Sequence, residues 1–435
     1  MLWHVSMNRR IQLNIDLNRS FRFFISLLLL IQSPLFARVG MDLFLGSIFD
    51  DNTFRNYEQL DDRILQPQVT LYCTAADSRK GIKILYRGFF SYFQNYTDRQ
   101  FQYHGAAANS WWNPGESSFF IYAGIDAGRR TNLSSYTYYN YDQWSGYLNL
   151  RIDESTTGNW RIGSDASARR YMYLPQFSYN EITGFIQKTY FFKTKTSLIG
   201  RVHLGYKIFT ESKINEVVIQ EITDTLESKG RGNGNSGNGN NGRGQGNNQN
   251  DGTTERDEEV ITERTVLVEV PGERILQYSA SLRVGQSIGA KTGCSIQGRI
   301  TRHLNGEGRS LLYQDSGYED DDYLFDDPYN FESDELLIEF THVFPWTVTL
   351  KAGIDYRQKH YLLQLLDSNR DSTGGNTRQD KRRSCWVSIR KGFKIPSVFK
   401  STFLAFSYML LDNESSDAYF QYNNSIISLS WELKI

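Results

Sequence analysis

Apolar and polar residues alternate with period two through most of this chain, and that regularity narrows the fold more than any other feature. Ile82, Ile84, Tyr86, Gly88, Phe90 and Tyr92 are interleaved with Lys83, Arg87 and Ser91. Trp144, Gly146, Leu148, Leu150 and Ile152 are interleaved with Asn149, Arg151 and Asp153, and Leu198, Val202, Leu204 and Tyr206 with Arg201, His203 and Lys207. Successive side chains of a strand point to opposite faces, so each segment reads as a strand with one greasy and one wet face. From residue 41 to Ile435 there are about 16 such segments, within bounds of 14 to 18, and nothing of helical period competes.

The connections sort by parity. Those after even-numbered segments are short: 75–80, 113–117, 154–158, 193–196, 289–291, the turn at Pro345, and 396–400. The long ones, 50–65, 132–141, 213–271, 306–333 and 364–380, all follow odd-numbered segments. An up-and-down meander puts all even connections at one end and all odd connections at the other. A soluble sandwich has no reason to keep its long loops at a single end.

Composition fits an all-β chain of this kind. Hydrophobic residues make up 39% and mean hydropathy is −0.51, which excludes a bundle of membrane-spanning helices. A barrel whose strands each keep one wet face is polar on average however much lipid it touches. Aromatics at 14%, with 35 Gly and only 8 Pro, suit strands joined by glycine turns. The aromatic runs at 111–112, 136–144, 171–179 and 190–192 fall where strands end, as interfacial girdles require. A net charge of −1 makes no electrostatic case for a nucleic-acid partner. Cys73, Cys294 and Cys385 are far apart and odd in number, with neither metal spacing nor a disulfide framework.

The closing segment sharpens the class. Ile427, Leu429, Trp431, Leu433 and Ile435 are apolar while Ser428, Ser430, Glu432 and Lys434 are polar, and a polar turn at 412–417 separates them from the strand 401–410. This resembles the closing hairpin of Gram-negative outer-membrane β-barrels, whose final strand alternates and carries the assembly signal. The resemblance places that signal on Leu429, Trp431, Leu433 and Ile435, although such barrels usually end on an aromatic residue and this chain ends on Ile435. Those barrels also share the short turns, long outer loops and even strand number. The resemblance is architectural, porin-like, and covers residues 41–435. It implies a single antiparallel transmembrane β-barrel with long extracellular loops, set among outer-membrane lipid and lipopolysaccharide and folded by the barrel-assembly machinery. Porins of this size are often trimers, so a homotrimer is the assembly the analogy implies.

The N-terminus is expected to be an export signal. Arg19 and Arg22 precede the apolar run Phe23–Ile31, and Pro34, Leu35 and Phe36 lead to Ala37, a small residue at which to cut. The run falls well short of the roughly 20 residues a spanning helix needs. Residues 1–37 therefore read as a cleavable signal peptide and 38–435 as the barrel.

Two long connections have their own chemistry. Residues 229–252 are almost entirely Gly, Asn, Gln and Arg, which bury no apolar surface and make a flexible tether. Segments 214–226 and 260–270 flank it with Val, Ile, Thr and Glu, so 213–271 is expected to be an extracellular hairpin with a disordered tip. Such a tip is either a tolerated insertion or a partner-binding loop. In the acidic stretch 315–335, Asp320, Asp321, Asp322, Asp326 and Asp327 are the carboxylates a divalent cation would use. The calcium-loop spacing with its central glycine is missing, and a solvated acidic loop is the simpler reading.

The wet face, if it lines a lumen, carries Lys83, Arg87, Arg130, Arg151, Arg161, Arg169, Arg201, Lys207, Arg283, Arg299, Lys351, Arg357, Lys359, Arg390 and Lys394. Against these stand Asp126, Asp153, Asp165, Glu339 and Asp355, an excess of about ten positive charges that would concentrate anions. The alternative is that loop and lumen carboxylates neutralise these cations and plug the barrel. Of the six histidines only His4 has a serine two residues away, Ser6, the spacing lipase-type barrels use, and that pair falls within the expected signal peptide; no nucleophile elbow or zinc pair occurs. The expectation is a passive channel for small polar or anionic solutes, not an enzyme, with no cofactor and no nucleic-acid partner. The competing expectation is a structural or surface-binding barrel acting through the 213–271 loop.

Overall fold

A computed structural model describes residues 38–115, 118–154, 157–222, 260–270, 272–306, 308, 326–362, 377–393 and 401–435. The proposed signal peptide and the tip 229–252 lie outside the described residues. In chain order the strands begin with β1 (Arg38–Asp50), β2 (Asp62–Ala76), β3 (Lys80–Phe93), β4 (Phe101–Trp112), β5 (Phe119–Asn132) and β6 (Tyr141–Glu154). They continue with β7 (Gly158–Tyr171), β8 (Tyr179–Phe191), β9 (Thr196–Phe209), β10 (Ser212–Ile222), β11 (Val260–Val270) and β12 (Arg274–Ser287). The last six are β13 (Thr292–Asn305), β14 (Phe331–Phe344), β15 (Val348–Tyr361), β16 (Gln379–Phe393), β17 (Ser401–Ser415) and β18 (Tyr422–Lys434).

Sixteen of these strands, all but β10 and β11, form one closed antiparallel barrel. Closure is made by β1, which pairs β2 on one side and β18 on the other with Leu45 opposite Trp431 and Asp42 opposite Lys434. Met41 and Ile435 exchange backbone hydrogen bonds of 3.4 and 2.9 Å at the seam, so neither terminal strand keeps an open edge. Leu429, Trp431, Leu433 and Ile435 lie on this seam strand or just beyond it. Barrel strands run from 12 residues in β4 to 15 in β2, longer than the minimum a tilted strand needs to cross a bilayer core.

Parity of the connections holds throughout. One end carries 51–61, 94–100, 133–140, 172–178, 210–273, 306–330, 362–378 and 416–421; the other carries 77–79, 113–118, 155–157, 192–195, 288–291, 345–347 and 394–400. The faces separate as cleanly. Ile125, Val202 and Ile354 are 68%, 57% and 61% exposed, whereas Lys207, of opposite parity on the same strand as Val202, is 0% exposed. The apolar set is therefore the outer surface and the polar set the inner one. Cys294 and Cys385 face outward, opposite Phe340 and Ile354.

Aromatic rings are used differently at the two ends. At the short-turn end, Trp112, Trp160, Tyr190, Phe344 and Trp346 stand exposed on the outside, where amphipathic rings suit a membrane interface. At the long-loop end Trp144 and Tyr173 stay exposed, but much of the run expected to form a second girdle turns inward instead. Tyr139, Tyr141, Tyr171 and Phe177 are buried together, with Tyr136, Tyr138 and Leu174 packed against them. The correction has a simple cause: the connections 133–140 and 172–178 fold back over the barrel mouth, so their rings find protein rather than solvent.

Strands β10 and β11 form a unit of their own, a two-stranded antiparallel sheet running from Ser212 opposite Val270 to Ile222 opposite Val260.

Candidate pore lining

Backbone register decides which side chains share the inner wall, because directly paired residues of neighbouring strands point the same way. Fourteen of the fifteen cations expected there occupy inner positions, and Lys394 lies outside the described residues. Arg38, Arg382 and Lys434 join them, opposite Thr74, Arg357 and Asp42. The inner acids are more numerous than the five expected. Asp42, Asp50, Asp62, Glu181, Glu335, Asp380 and Glu432 add to Asp126, Asp153, Asp165, Glu339 and Asp355. The strands thus place seventeen cations against twelve carboxylates on the inner wall, an excess of five, not ten. Asp50, Asp62, Glu335 and Asp380 lie at strand ends beyond the alternating segments, where the apolar pattern fades, whereas Asp42, Glu181 and Glu432 belong to those segments and the balance of charge drawn from sequence left them out.

The cations are not scattered. Arg151 pairs Arg161, Arg161 pairs Gln187, Gln187 pairs Arg201, and Arg201 pairs Ser281. Ser281 pairs Arg299, which leads to Glu335, Arg357, Arg382, Asn413 and Tyr422. One continuous register row therefore carries six arginines. Because the strands are staggered, the row starts near the short-turn ends of β6 and β7 and finishes at the long-loop end of β18. It climbs the inner wall from one mouth to the other.

Few carboxylates answer these arginines. Arg151 is held by Asp153 at 2.7 Å. Glu335 is shared by Arg299 at 3.8 Å and Arg357 at 3.3 Å. Arg201 lies over the Phe185 ring at 4.0 Å. Arg161, Arg201 and Arg382 have no carboxylate within ion-pair distance among the described residues. Below the row, Arg283 pairs with Glu339 at 2.8 Å, and Arg390 and Lys434 share Glu432. On the wall formed by β6, β7 and β8, a small cavity is lined by Ser145, Tyr147, Asp165, Ser167, Glu181 and Thr183. On β6 and β7 these hydroxyls and carboxylates lie toward the long-loop side of Arg151 and Arg161.

Four of the expected lining cations are not open to the lumen. Arg130, Arg169, Lys207 and Lys359 are only 2%, 4%, 0% and 3% exposed. They sit in the last inner layer before the long loops. Arg130 stacks over Phe101 at 3.6 Å, Arg169 over Tyr141 at 4.2 Å, and Lys207 over Tyr179 at 3.8 Å. Rings of this kind attract a desolvated cation through their quadrupole.

The two lysines are also capped from the loop. Segment 326–330, with its 3-10 turn Pro328–Asn330, folds inward against the wall. Lys207 donates to Asp327 and Lys359 to Asp326, while the Tyr361 hydroxyl donates to Asp326 at 2.6 Å. Gln277 donates to the Pro328 carbonyl at 2.7 Å, and the Tyr329 hydroxyl donates to Glu181 at 2.8 Å. Gly205 makes room for that ring, since a Cβ there would lie 2.1 Å from the Tyr329 Oη. Burial alone would raise the Asp326 carboxyl, but Lys359 and Arg378 overturn this and hold it well below the usual carboxylate range. Burial and the Glu181 charge push the Tyr329 phenol up, so it remains a donor. Asp326 and Asp327, considered above as cation ligands, are thus engaged by ammonium groups; Asp320, Asp321 and Asp322 lie outside the described residues. The acidic stretch looked solvated in sequence because nothing local reveals that its end returns to the barrel.

No protein-family model matches the chain, and no curated protein does. Among solved structures, Acinetobacter baumannii OccAB1 aligns with 92% of this chain and 96% of that one, at 8% identity and a TM-score of 0.48. Pseudomonas aeruginosa OccK2 (OpdF) in complex with glucuronate aligns over 92% and 98% of the two chains, at 7% identity and a TM-score of 0.44. Pseudomonas aeruginosa OpdK with vanillate aligns over 91% and 99%, at 11% identity and a TM-score of 0.40. Likeness of this degree carries no inference about ligand or lineage.

Proposed function

We propose that this chain is a passive outer-membrane channel for small polar solutes that favours anions, rather than an enzyme. The observation that carries this reading is the arginine row, which offers an anion a next guanidinium at each stage of the climb. A basic wall raises the local concentration of anions and lowers their barrier to entry, in a lumen where low-dielectric walls weaken screening. The apolar exterior supports placement in a bilayer, with outer-membrane lipid and lipopolysaccharide as its surroundings and the long-loop end outward, since charge facing lipid costs about 2–4 kcal/mol at mid-depth. Passage through a trimer of such barrels is compatible with this reading.

Reversal-potential measurements on the purified protein in a potassium chloride gradient test it. The wild type is expected to prefer chloride, and Arg201→Gln with Arg299→Gln is expected to remove most of that preference. Cation preference in the wild type overturns the proposal. A surface-binding barrel is the competing reading, favoured by the β10–β11 hairpin forming a unit of its own. Deleting 213–271 should leave conductance intact if the channel is the function.

A further inference from the structure

We infer that Arg382, with Arg357 opposite it, forms a discrete oxyanion-binding site near the long-loop end of the lumen. The inference rests on the channel reading above for access, but the site itself stands on its own geometry. Arg357 and Arg382 are directly paired across β15 and β16, so two like charges face each other at one register position. Like charges directly opposite are destabilising in a sheet unless something lies between them. Here the surrounding groups do not supply it. Arg357 has one carboxylate, Glu335, reached from Nη2 at 3.3 Å and already shared with Arg299. Arg382 has no ion-pair partner among the described residues.

The two nearest carboxylates above the pair are committed elsewhere. Asp380 is held by Arg378 and accepts from Ser415 at 2.7 Å, and Asp326 is held by Lys359 and Tyr361. Arg357 Nε lies 3.3 Å from the Glu335 carboxylate, whereas Arg382 Nε has no acceptor among the described residues. An unmet donor is costly, and two facing guanidiniums with one carboxylate between them, itself shared with Arg299, carry charge that a planar or tetrahedral oxyanion would satisfy. Asn413 and Tyr422 continue the register beyond Arg382 and add neutral polar groups to the same neighbourhood. Bidentate recognition by a guanidinium suits a carboxylate or a phosphate, and a lysine at the same place would lack the fork.

Isothermal titration of the detergent-purified full chain with benzoate, and separately with inorganic phosphate, tests this. Wild type should bind at least one of the two, and the preferred probe tells a carboxylate site from a phosphate site. Arg382→Gln should weaken that binding by about tenfold or more, the loss of one charge-assisted contact. Arg382→Lys should fall between them. Arg383→Gln serves as the control, because that neighbour faces outward and pairs with Glu414 at 2.9 Å; it should bind as the wild type does. Gel migration before and after heating reports that each variant is a closed barrel. Binding of neither probe by the wild type, or equal binding by Arg382→Gln, overturns the site. Conductance is measured on the same preparation. Binding without conductance would fail the channel and keep the site, and anion-selective conductance without binding would do the reverse.

Discussion

The two ends of the barrel solve the same problem in opposite ways. At the short-turn end the strands stop at brief turns, the aromatic rings stand outside, and ion pairs such as Arg390 with Glu432 remain open to water. At the long-loop end many rings turn inward, and among the described residues the largest fully buried side chains gather there, including Tyr139, Tyr141, Phe93, Phe101, Lys207 and Phe209. A barrel wall needs no apolar core, because its backbone hydrogen bonds close on themselves and its outer face meets lipid. A mouth closed by loops does need one. The difference teaches that burial marks where connections have been brought into the lumen, and that this chain holds them with cations stacked on rings as much as with apolar contacts.

The largest test breaks the buried mouth at its most enclosed ion pair. Lys207 and Asp327 are each 1% exposed, and Lys207→Met leaves the Asp327 carboxylate buried without its counterion. Removing one partner of such a pair costs about 3–5 kcal/mol. The variant should lose its heat-resistant gel mobility at a lower temperature than the wild type, and segment 326–330 should detach, raising single-channel conductance. The double variant Lys207→Met with Asp327→Asn should recover much of the lost stability, since no lone charge remains. A single variant as stable as the wild type would mean that this mouth is not a core at all.

A gentler perturbation of the same latch is pH. The Asp326 carboxyl sits well below its ordinary value because Lys359 and Arg378 outweigh the effect of burial. A depressed carboxyl contributes stability that is fully present above its unfolded value, about 3.9, and is lost as pH falls through the folded one. Conductance should therefore stay flat from pH 7 down to about 4.5 and rise only in stronger acid. A step within that plateau would place the latch on another group.

How much of this was legible in the sequence follows from the range of each signal. Alternation is local, so the wall strands and the inner positions of Arg151, Arg161, Arg201 and Arg299 could be read directly. Arg382 could not, because β16 starts at Gln379 and its outward residues there, Lys381 and Arg383, are charged, which hides the strand pattern until Cys385. The arginine row itself is a property of register between strands far apart in sequence, and periodicity within one strand carries no information about it. The inward fold of 326–330 depends on Lys207 and Lys359, more than thirty residues from it on one side and more than a hundred on the other. In sequence its aspartates look like any solvated acidic loop.

The smallest expected effect lies at the opposite end and completes the contrast. Arg390 meets Glu432 at 2.7 Å with side chains 48% and 30% exposed, and its guanidinium lies over Phe403 at 4.0 Å. Arg390→Gln removes the charge but leaves Glu432 paired with Lys434 at 3.1 Å. No buried ion is stranded, and exposed pairs contribute at most about 1 kcal/mol, less as salt screens them. Stability should therefore change by under about 1 kcal/mol, and the change should vanish in molar salt, where the Debye length is about 3 Å. A loss as large as that of Lys207→Met would show that the short-turn end is as tightly organised as the mouth. The asymmetry between the ends would then belong to where the rings point, and not to where the barrel is held together.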